Sequence, residues 1–326
     1  MVSLVTGGAG FIGSHLAERL VREGERVVVL DDLSTGSRAN IEHLLTSPLF
    51  RFVEGSVLDA RLVGSLVRGA DEVYHLAAAV GVKRILEQPL SSIATIVDGT
   101  ATVLLAAHRH GVKTFIASTS EVYGKNEKSG LTELDDSIVG PLETTRWLYA
   151  VGKALDEFLA LAYWREHGLL VVIGRFFNTY GPRQTGSYGM VIPRFIEQAL
   201  RGEPITIFGD GEQSRCFTYV HDSVDAVLEL MRTPAAYGES VNIGNEREVT
   251  IRRLAELVLE ATNSDSPIDY IDYREVYPTG FADMRRRVPS ADKLRWLIGF
   301  SPSTSLEDGI RATVGHLDRQ LALVAD

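Results

Sequence analysis

A single cysteine, Cys216, stands in the whole chain, so no internal disulfide can form and no cysteine-rich zinc site can be assembled. Histidine is scarce too. The chain has eight, none at metal-ligand spacing, and His75, inside an apolar run, is expected to be a packed core side chain. No run approaches the roughly 18 consecutive apolar residues of a membrane-spanning helix, and no basic leader precedes the first apolar segment. The chain is therefore expected to be cytoplasmic, with no membrane partner. Positive charge is in deficit, 33 Lys and Arg against 43 Asp and Glu for a net −10, which disfavours nucleic acid as a partner. Internal repeats and low-complexity linkers are also missing. What remains is ordinary globular composition, 45% apolar over 326 residues, enough for a large core and about two lobes.

The first forty residues carry the first positive signal. Val2 to Thr6 reads as a buried strand and Ser14 to Glu23 as a helix stopped by Gly24, so the glycine-rich turn between them joins strand to helix. Gly8, Gly10 and Gly13 fit G-x-G-x-x-G, a turn whose missing side chains let backbone N–H groups and a helix N-terminus approach a pyrophosphate. The next strand, Arg26 to Leu30, ends in Asp31, roughly 20 residues past the turn, where a carboxylate can accept from both ribose hydroxyls and repel a 2′-phosphate. That combination predicts NAD rather than NADP. Further apolar strands at Glu72 to Leu76, Thr114 to Ser118 and Leu170 to Arg175 alternate with helical stretches. The expected fold is α/β: a doubly wound parallel sheet (Rossmann) over residues 1–174, with a smaller substrate-binding lid over 175–326, some of whose segments return to the first lobe. Lid helices are expected to begin at the caps Thr250 and Ser305. In such a sheet the glycine turn, Asp31, His75-Leu76-Ala77-Ala78, Ser118-Thr119 and Arg175 to Asn178 all sit at carboxyl ends of strands, so five segments converge on one crevice.

Tyr149 and Lys153, four apart on the helical stretch Trp147 to Arg165, project from one face. A free phenol, with a pKa of about 10, is a poor base near neutrality, but a neighbouring ammonium favours phenolate. Tyr149 is thus the candidate proton acceptor and Lys153 the cation that makes it one. An anionic nucleotide-sugar would need local positive charge, for which Lys83, Arg84, Arg146, Arg183, Arg194, Arg215 and the run Arg285-Arg286-Arg287 are candidates.

Over nearly its whole length the chain resembles the extended short-chain dehydrogenase/reductases acting on nucleotide-sugars. The resemblance rests on Thr6 to Gly13, Asp31, His75 to Ala78, Ser118 to Gly124, Arg146 to Lys153, Arg175 to Arg183, Phe208 to Asp222 and Val241 to Asn245. It implies cofactor contacts at Gly7, Gly10, Phe11, Ile12, Gly13, Asp31, Ser56, Val57, Leu76, Ala77, Ala78, Tyr149 and Lys153. It implies catalysis by Thr119, Ser120, Glu121, Tyr149, Lys153 and Arg287. Around the sugar nucleotide it implies Lys83, Arg146, Asn178, Val191, Arg194, Arg215 and Arg285, with no metal. Two positions depart from the pattern: Ser56 replaces an adenine-binding Asp, and Ile96 an Asn of the N-x-x-G-T segment. Relatives commonly dimerise through two helices, here Ile93 to Arg109 and Trp147 to Arg165, so a homodimer is the default.

All such enzymes begin by oxidising the sugar at C4″. The 4,6-dehydratases then use an Asp-Glu pair directly after the catalytic Thr; here the pair is Ser120-Glu121, similar to the UDP-glucuronate decarboxylases. Arg146, three before Tyr149, and Arg287 in Arg-Val-Pro-Ser resemble their segments as well. The implied activity is oxidation of UDP-glucuronate and decarboxylation of the 4-keto intermediate to a UDP-pentose. A UDP-sugar 4-epimerase, acting on UDP-glucuronate or UDP-glucose, is the alternative, and a non-catalytic NAD-binding sensor the third.

Overall fold

The computed structural model describes residues 1–79, 85, 87–186, 190–272, 275 and 284–325. Seven parallel strands form the main sheet: β1 (Val2–Thr6), β2 (Arg26–Asp31), β3 (Phe50–Glu54), β4 (Glu72–His75), β5 (Lys113–Thr119), β6 (Val171–Phe176) and β7 (Glu239–Ile243). Their order is β7-β6-β5-β4-β1-β2-β3. The chain runs outward from β1 through β2 to β3, then crosses back to place β4 on the other side of β1. That reversal opens a crevice at the carboxyl ends, with Thr6 beside His75 in register. β3 and β7, the two edge strands, are not among the strands expected from the sequence.

Burial follows the two-residue period of the strands. Val5, Val27 and Val29 face one core with Leu16 and Leu20 of α1 (Phe11–Arg22) and Val224 and Leu228 of the helix Val220–Arg232. Leu4, Leu30, Val73 and Ile116 face the opposite core with Val63, Val103, Leu104 and Ala160. Helices therefore cover both faces, which is why all seven strands run parallel. One stretch, Pro89–His110, is apolar and long enough to cross a membrane by composition alone, with a mean hydropathy of 1.6. Its Val103, Leu104 and Ala107 are buried in the sheet's second core.

A separate core forms in the second half of the chain, in which Phe195 and Ile196 of Val191–Leu200 meet Leu254 and Val258 of Ile251–Thr262 and Ile310 and Leu317 of Leu306–Ala325. Both expected caps close: Thr250 Oγ1 accepts from Arg253 N at 3.1 Å and Ser305 Oγ from Asp308 N at 3.1 Å. A four-stranded sheet with a strand order of its own lies beside the main one, and one of its edge strands, Ser129–Leu131, comes from the first half of the chain.

Candidate active site

The glycine turn is shaped by contacts that leave no room for side chains. Gly7 has φ +71°, and a Cβ there would stand 2.7 Å from Ala77 N; one on Gly13 would stand 2.2 Å from Gly7 O. Gly7, Gly10 and Gly13 line a cavity of about 420 Å³ together with Phe11 and Ile12. The three-glycine spacing that faces this cavity is Gly7-x-x-Gly10-x-x-Gly13. Gly8 points instead into the sheet, where a Cβ would meet Val29 Cγ2 at 2.6 Å, so its place in the G-x-G-x-x-G reading is corrected. The helix also begins earlier than Ser14: it starts at Phe11, with Gly10 as its cap, which brings its first turn to the cavity.

Asp31 lies at the far end of the same wall. Its Oδ2 accepts from Ala9 N at 2.9 Å and its Oδ1 from Leu33 N at 2.8 Å, bracing the turn while the carboxylate still lines the cavity. Burial pushes its pKa upward, against those two backbone bonds, which pull it down. Val57, Leu76, Ala77 and Ala78 complete the wall. Ser56 turns away to accept from Leu58 N at 3.2 Å. His75 is a core residue, as expected. Its Nδ1 lies 2.7 Å from Thr6 Oγ1 and its Nε2 3.1 Å from Thr100 Oγ1, and burial holds its pKa down at about 3, so it stays neutral.

The cavity's opposite side carries the reactive groups. Thr119 and Tyr149 both line it. Thr119 ends β5 and caps a short turn, Ser120–Tyr123, with its Oγ1 accepting from Glu121 N at 3.2 Å. Tyr149 lies in the first turn of the helix Leu148–His167, four residues before Lys153. The ammonium is not free beside the phenol: Lys153, 2% exposed, places Nζ 2.6 Å from Asp156 Oδ2. Burial pushes the Tyr149 phenol above its ordinary value, and the carboxylates of Glu121 and Asp156 push the same way. Lys153 alone therefore does not produce a phenolate in this state.

Glu121 is paired across 166 residues. Arg287, 5% exposed, places Nη1 2.6 Å from Glu121 Oε1 and 3.4 Å from Ser120 Oγ. Its Nε is buried with no hydrogen-bond partner among the described residues. The strand Arg286–Pro289 turns Arg287 inward, while Arg286 pairs with Glu248 and Arg285 with Asp210 at the surface. Asn178 is held at φ +37° and donates to Cys216 O at 2.9 Å, and Arg215 donates to Ser214 O at 2.7 Å. Arg194, one turn after Val191, stacks on Phe208 at 4.1 Å and donates to Thr206 O. Lys83, Arg84 and the side chain of Arg146 lie outside the described residues.

One structural group was not singled out in the sequence. Glu157 accepts a fork from Arg175, Nε at 2.9 Å and Nη2 at 2.7 Å, and the same guanidinium donates to Tyr123 OH, which donates to Asn242 Oδ1 at 2.7 Å. Ser118 also donates to Glu157. This buried network ties β5, β6, β7 and the Tyr149 helix together at the crevice. An arginine ending an apolar strand, and a glutamate on the inward face of the helix, were the available signals. Ile96 has a similar part: it is fully buried and touches the helix at Gly152, where a Cβ would lie 3.1 Å from Ile96 Cγ2.

Comparison with known proteins decides the family. The NAD dependent epimerase/dehydratase family matches residues 3–244. The chain belongs to that family. It is 43% identical to a UDP-N-acetyl-alpha-D-glucosaminuronate decarboxylase of Bacillus cytotoxicus, covering 95% of this chain and 96% of the relative. It is 34% identical to UDP-glucuronic acid decarboxylase 1 of Xenopus tropicalis, over 98% of this chain and 72% of the relative. The solved UDP-glucuronic acid 4-epimerase of Bacillus cereus, in complex with UDP-glucuronic acid and NAD, superposes with a TM-score of 0.88 at 29% identity, covering 98% of this chain and 100% of that one. Like its family, the chain takes NAD. The cradle fits that cofactor on its own terms, having side-chain-free backbone at the turn, a helix N-terminus for phosphate and a carboxylate for ribose.

Proposed function

We propose that the protein decarboxylates a UDP-hexuronate to a UDP-pentose. The observation that carries this reading is the buried Glu121–Arg287 pair, joined to Thr119 through Glu121 N and close enough to Tyr149 for the Glu121 charge to act on its phenol. Bound NAD supplies reversible hydride acceptance at C4″, which turns the uronate into a β-keto acid. Tyr149 Oη takes the C4″ hydroxyl proton and later returns it, and Thr119 Oγ1 shares that hydrogen bond and fixes the ring. Loss of carbon dioxide leaves negative charge on the C4″ oxygen, where the Tyr149 and Thr119 hydroxyls donate to it. Arg287 orients the carboxylate out of the ring plane through its Nε face, which has no partner among the described residues, and Glu121 with Ser120 relays from solvent the proton that replaces the lost carboxyl group. A buried donor without a partner is the feature expected where a ligand oxygen completes the site.

Arg194, Arg215, Asn178 and Val191 belong in this reading to the nucleotide end, and Lys83, Arg146 and Arg285 to its rim. The C2 substituent is either a hydroxyl, as in the substrate named for the Xenopus relative, or an acetamido group, as in that of the Bacillus cytotoxicus relative. Incubation with UDP-glucuronate and with UDP-N-acetylglucosaminuronate tests both. Carbon dioxide with a UDP-pentose supports decarboxylation. A C4″ epimer without carbon dioxide replaces it with the 4-epimerase reading that the Bacillus cereus structure favours, and no turnover leaves an NAD-binding sensor.

We further read the protein as a cytoplasmic homodimer. Ile93 and Leu105 on one stretch and Val151, Leu155 and Phe158 on another are exposed apolar side chains on the two helical stretches expected to pair. Light scattering of wild type against Phe158→Glu tests this, and a monomeric wild type removes it.

A further inference from the structure

One link between the lobes lies directly over the cofactor turn. Pro182 and Arg183 follow the strand Thr179–Tyr180 of the second half. Arg183 has φ +67°, a left-handed conformation that a long side chain adopts only when its surroundings impose it. The surroundings are two groups on α1. Arg183 Nη2 lies 2.5 Å from Glu18 Oε2 and Nη1 3.4 Å from Ser14 Oγ. One residue earlier, Pro182 O is 2.9 Å from His15 Nε2; a carbonyl only accepts, so the ring nitrogen donates. His15 can hold this bond as a neutral ring, since burial and the neighbouring Arg183 keep its pKa down at about 3. Arg183 also lines the same cavity as Gly7, Gly10 and Gly13. A cation forced into a strained backbone, anchored to the helix whose N-terminus closes the turn, is thereby presented to whatever anion that turn holds.

We propose that Pro182–Arg183 is a strap that retains the cofactor: Arg183, positioned by Glu18, faces the dinucleotide's phosphates, and the strap keeps NAD in its cradle from one turnover to the next. The chemistry gives this a purpose, because hydride taken from C4″ must return to the same sugar, and a cofactor lost between the two steps leaves a keto-sugar with no reductant. The inference rests on the NAD cradle and is independent of which sugar reaction follows.

Exchange of bound NAD against excess isotope-labelled NAD, measured on folded holoenzyme without any sugar, tests it. Wild type is expected to come through desalting with NAD bound, and Arg183→Ala to exchange at least tenfold faster, as loss of a charge-assisted contact implies. Glu18→Gln, which leaves the guanidinium but removes its anchor, should exchange at least threefold faster, and it decides the matter if Arg183→Ala does not fold. Loss of NAD from wild type on desalting, or exchange below these thresholds, overturns the proposal. A strap that merely staples the lobes would lower the melting temperature of the NAD-free variants and leave exchange unchanged; that outcome overturns it as well.

Discussion

The cofactor wall and the reactive wall of the cavity are built in opposite ways. The cofactor wall comes largely from one continuous stretch, Val2 to Asp31, and depends on backbone: the turn works because Gly7 and Gly13 have no Cβ. The reactive wall sets Thr119 and Tyr149 on the cavity, with Glu121 and Arg287 paired next to Thr119, and depends on side-chain charge drawn from distant segments, Glu121 and Arg287 meeting across 166 residues. Backbone shape fails all at once when a side chain intrudes. Charge can be retuned one group at a time. Substitutions on the two walls should therefore differ in what they change: binding of NAD on one, rate and pH dependence on the other.

The largest effect is expected on the reactive wall. Tyr149→Phe removes the proton acceptor and should lower kcat by about 10²–10⁴-fold, the usual contribution of a general base. Bound NAD, assayed after denaturation, should stay at the wild-type level. A Tyr149→Phe enzyme of normal rate would move catalysis to another group.

The cofactor wall is next. A Cβ on Gly13 would meet the Gly7 carbonyl at 2.2 Å, and backbone cannot yield as a side chain can. Overpacking of about 1–3 kcal/mol corresponds to NAD affinity weakened roughly 5- to 150-fold. Gly8→Ala is the control, because its Cβ meets the Val29 side chain on the sheet side, away from the cavity. It should lower the melting temperature and leave NAD affinity, measured by titration, as it was. Equal losses of NAD affinity in the two variants would break the distinction between Gly7-x-x-Gly10 and Gly8-x-Gly10.

The same contrast explains what was legible in the sequence. Five strands, the glycine turn, Asp31 and the caps at Thr250 and Ser305 are local patterns, each fixed by neighbours within a few residues. Even there the bare G-x-G-x-x-G pattern picks Gly8 where the resemblance picks Gly7, since the pattern does not say which side of the strand a residue faces. Tyr149 and Lys153 could be named as a pair because residues four apart share a helix face, and Thr119 through the resemblance. Asp156 could not be foreseen as the partner of Lys153, nor Arg175 as that of Glu157, because a polar residue's partner is a matter of packing across elements. β3 and β7 were hidden for a related reason: short edge strands are specified by the sheet they join more than by their own alternation.

Glu121 sharpens the reactive wall further. Glu121→Gln keeps the shape but removes one of the two carboxylates that push the Tyr149 phenol upward. Activity requires Tyr149 deprotonated, so it rises as pH passes the phenol's pKa; removing a neighbouring negative charge lowers that pKa, and the acid limb of the kcat profile should move to lower pH. The rate at the plateau should fall by up to about a hundredfold, because Arg287 loses its anchor. A limb that does not move, or moves to higher pH, would mean that Glu121 does not act on Tyr149.

The smallest effect belongs to Arg285, and it tests how far the reactive wall extends. The resemblance places this side chain on the sugar nucleotide, yet it is 71% exposed and pairs with Asp210, itself half in solvent. An exposed pair contributes little to stability, so Arg285→Ala should leave the melting temperature within about 1 °C of wild type. Its effect on KM is the informative quantity. The phosphates of a bound UDP-sugar would draw the guanidinium from Asp210 only if the rim closes around them, and KM should then rise several-fold with kcat unchanged, since a rim charge contributes equally to bound substrate and transition state. An unchanged KM would confine substrate recognition to Arg287 and the buried residues behind it, and the boundary of the reactive wall would fall between two side chains only two positions apart in the chain.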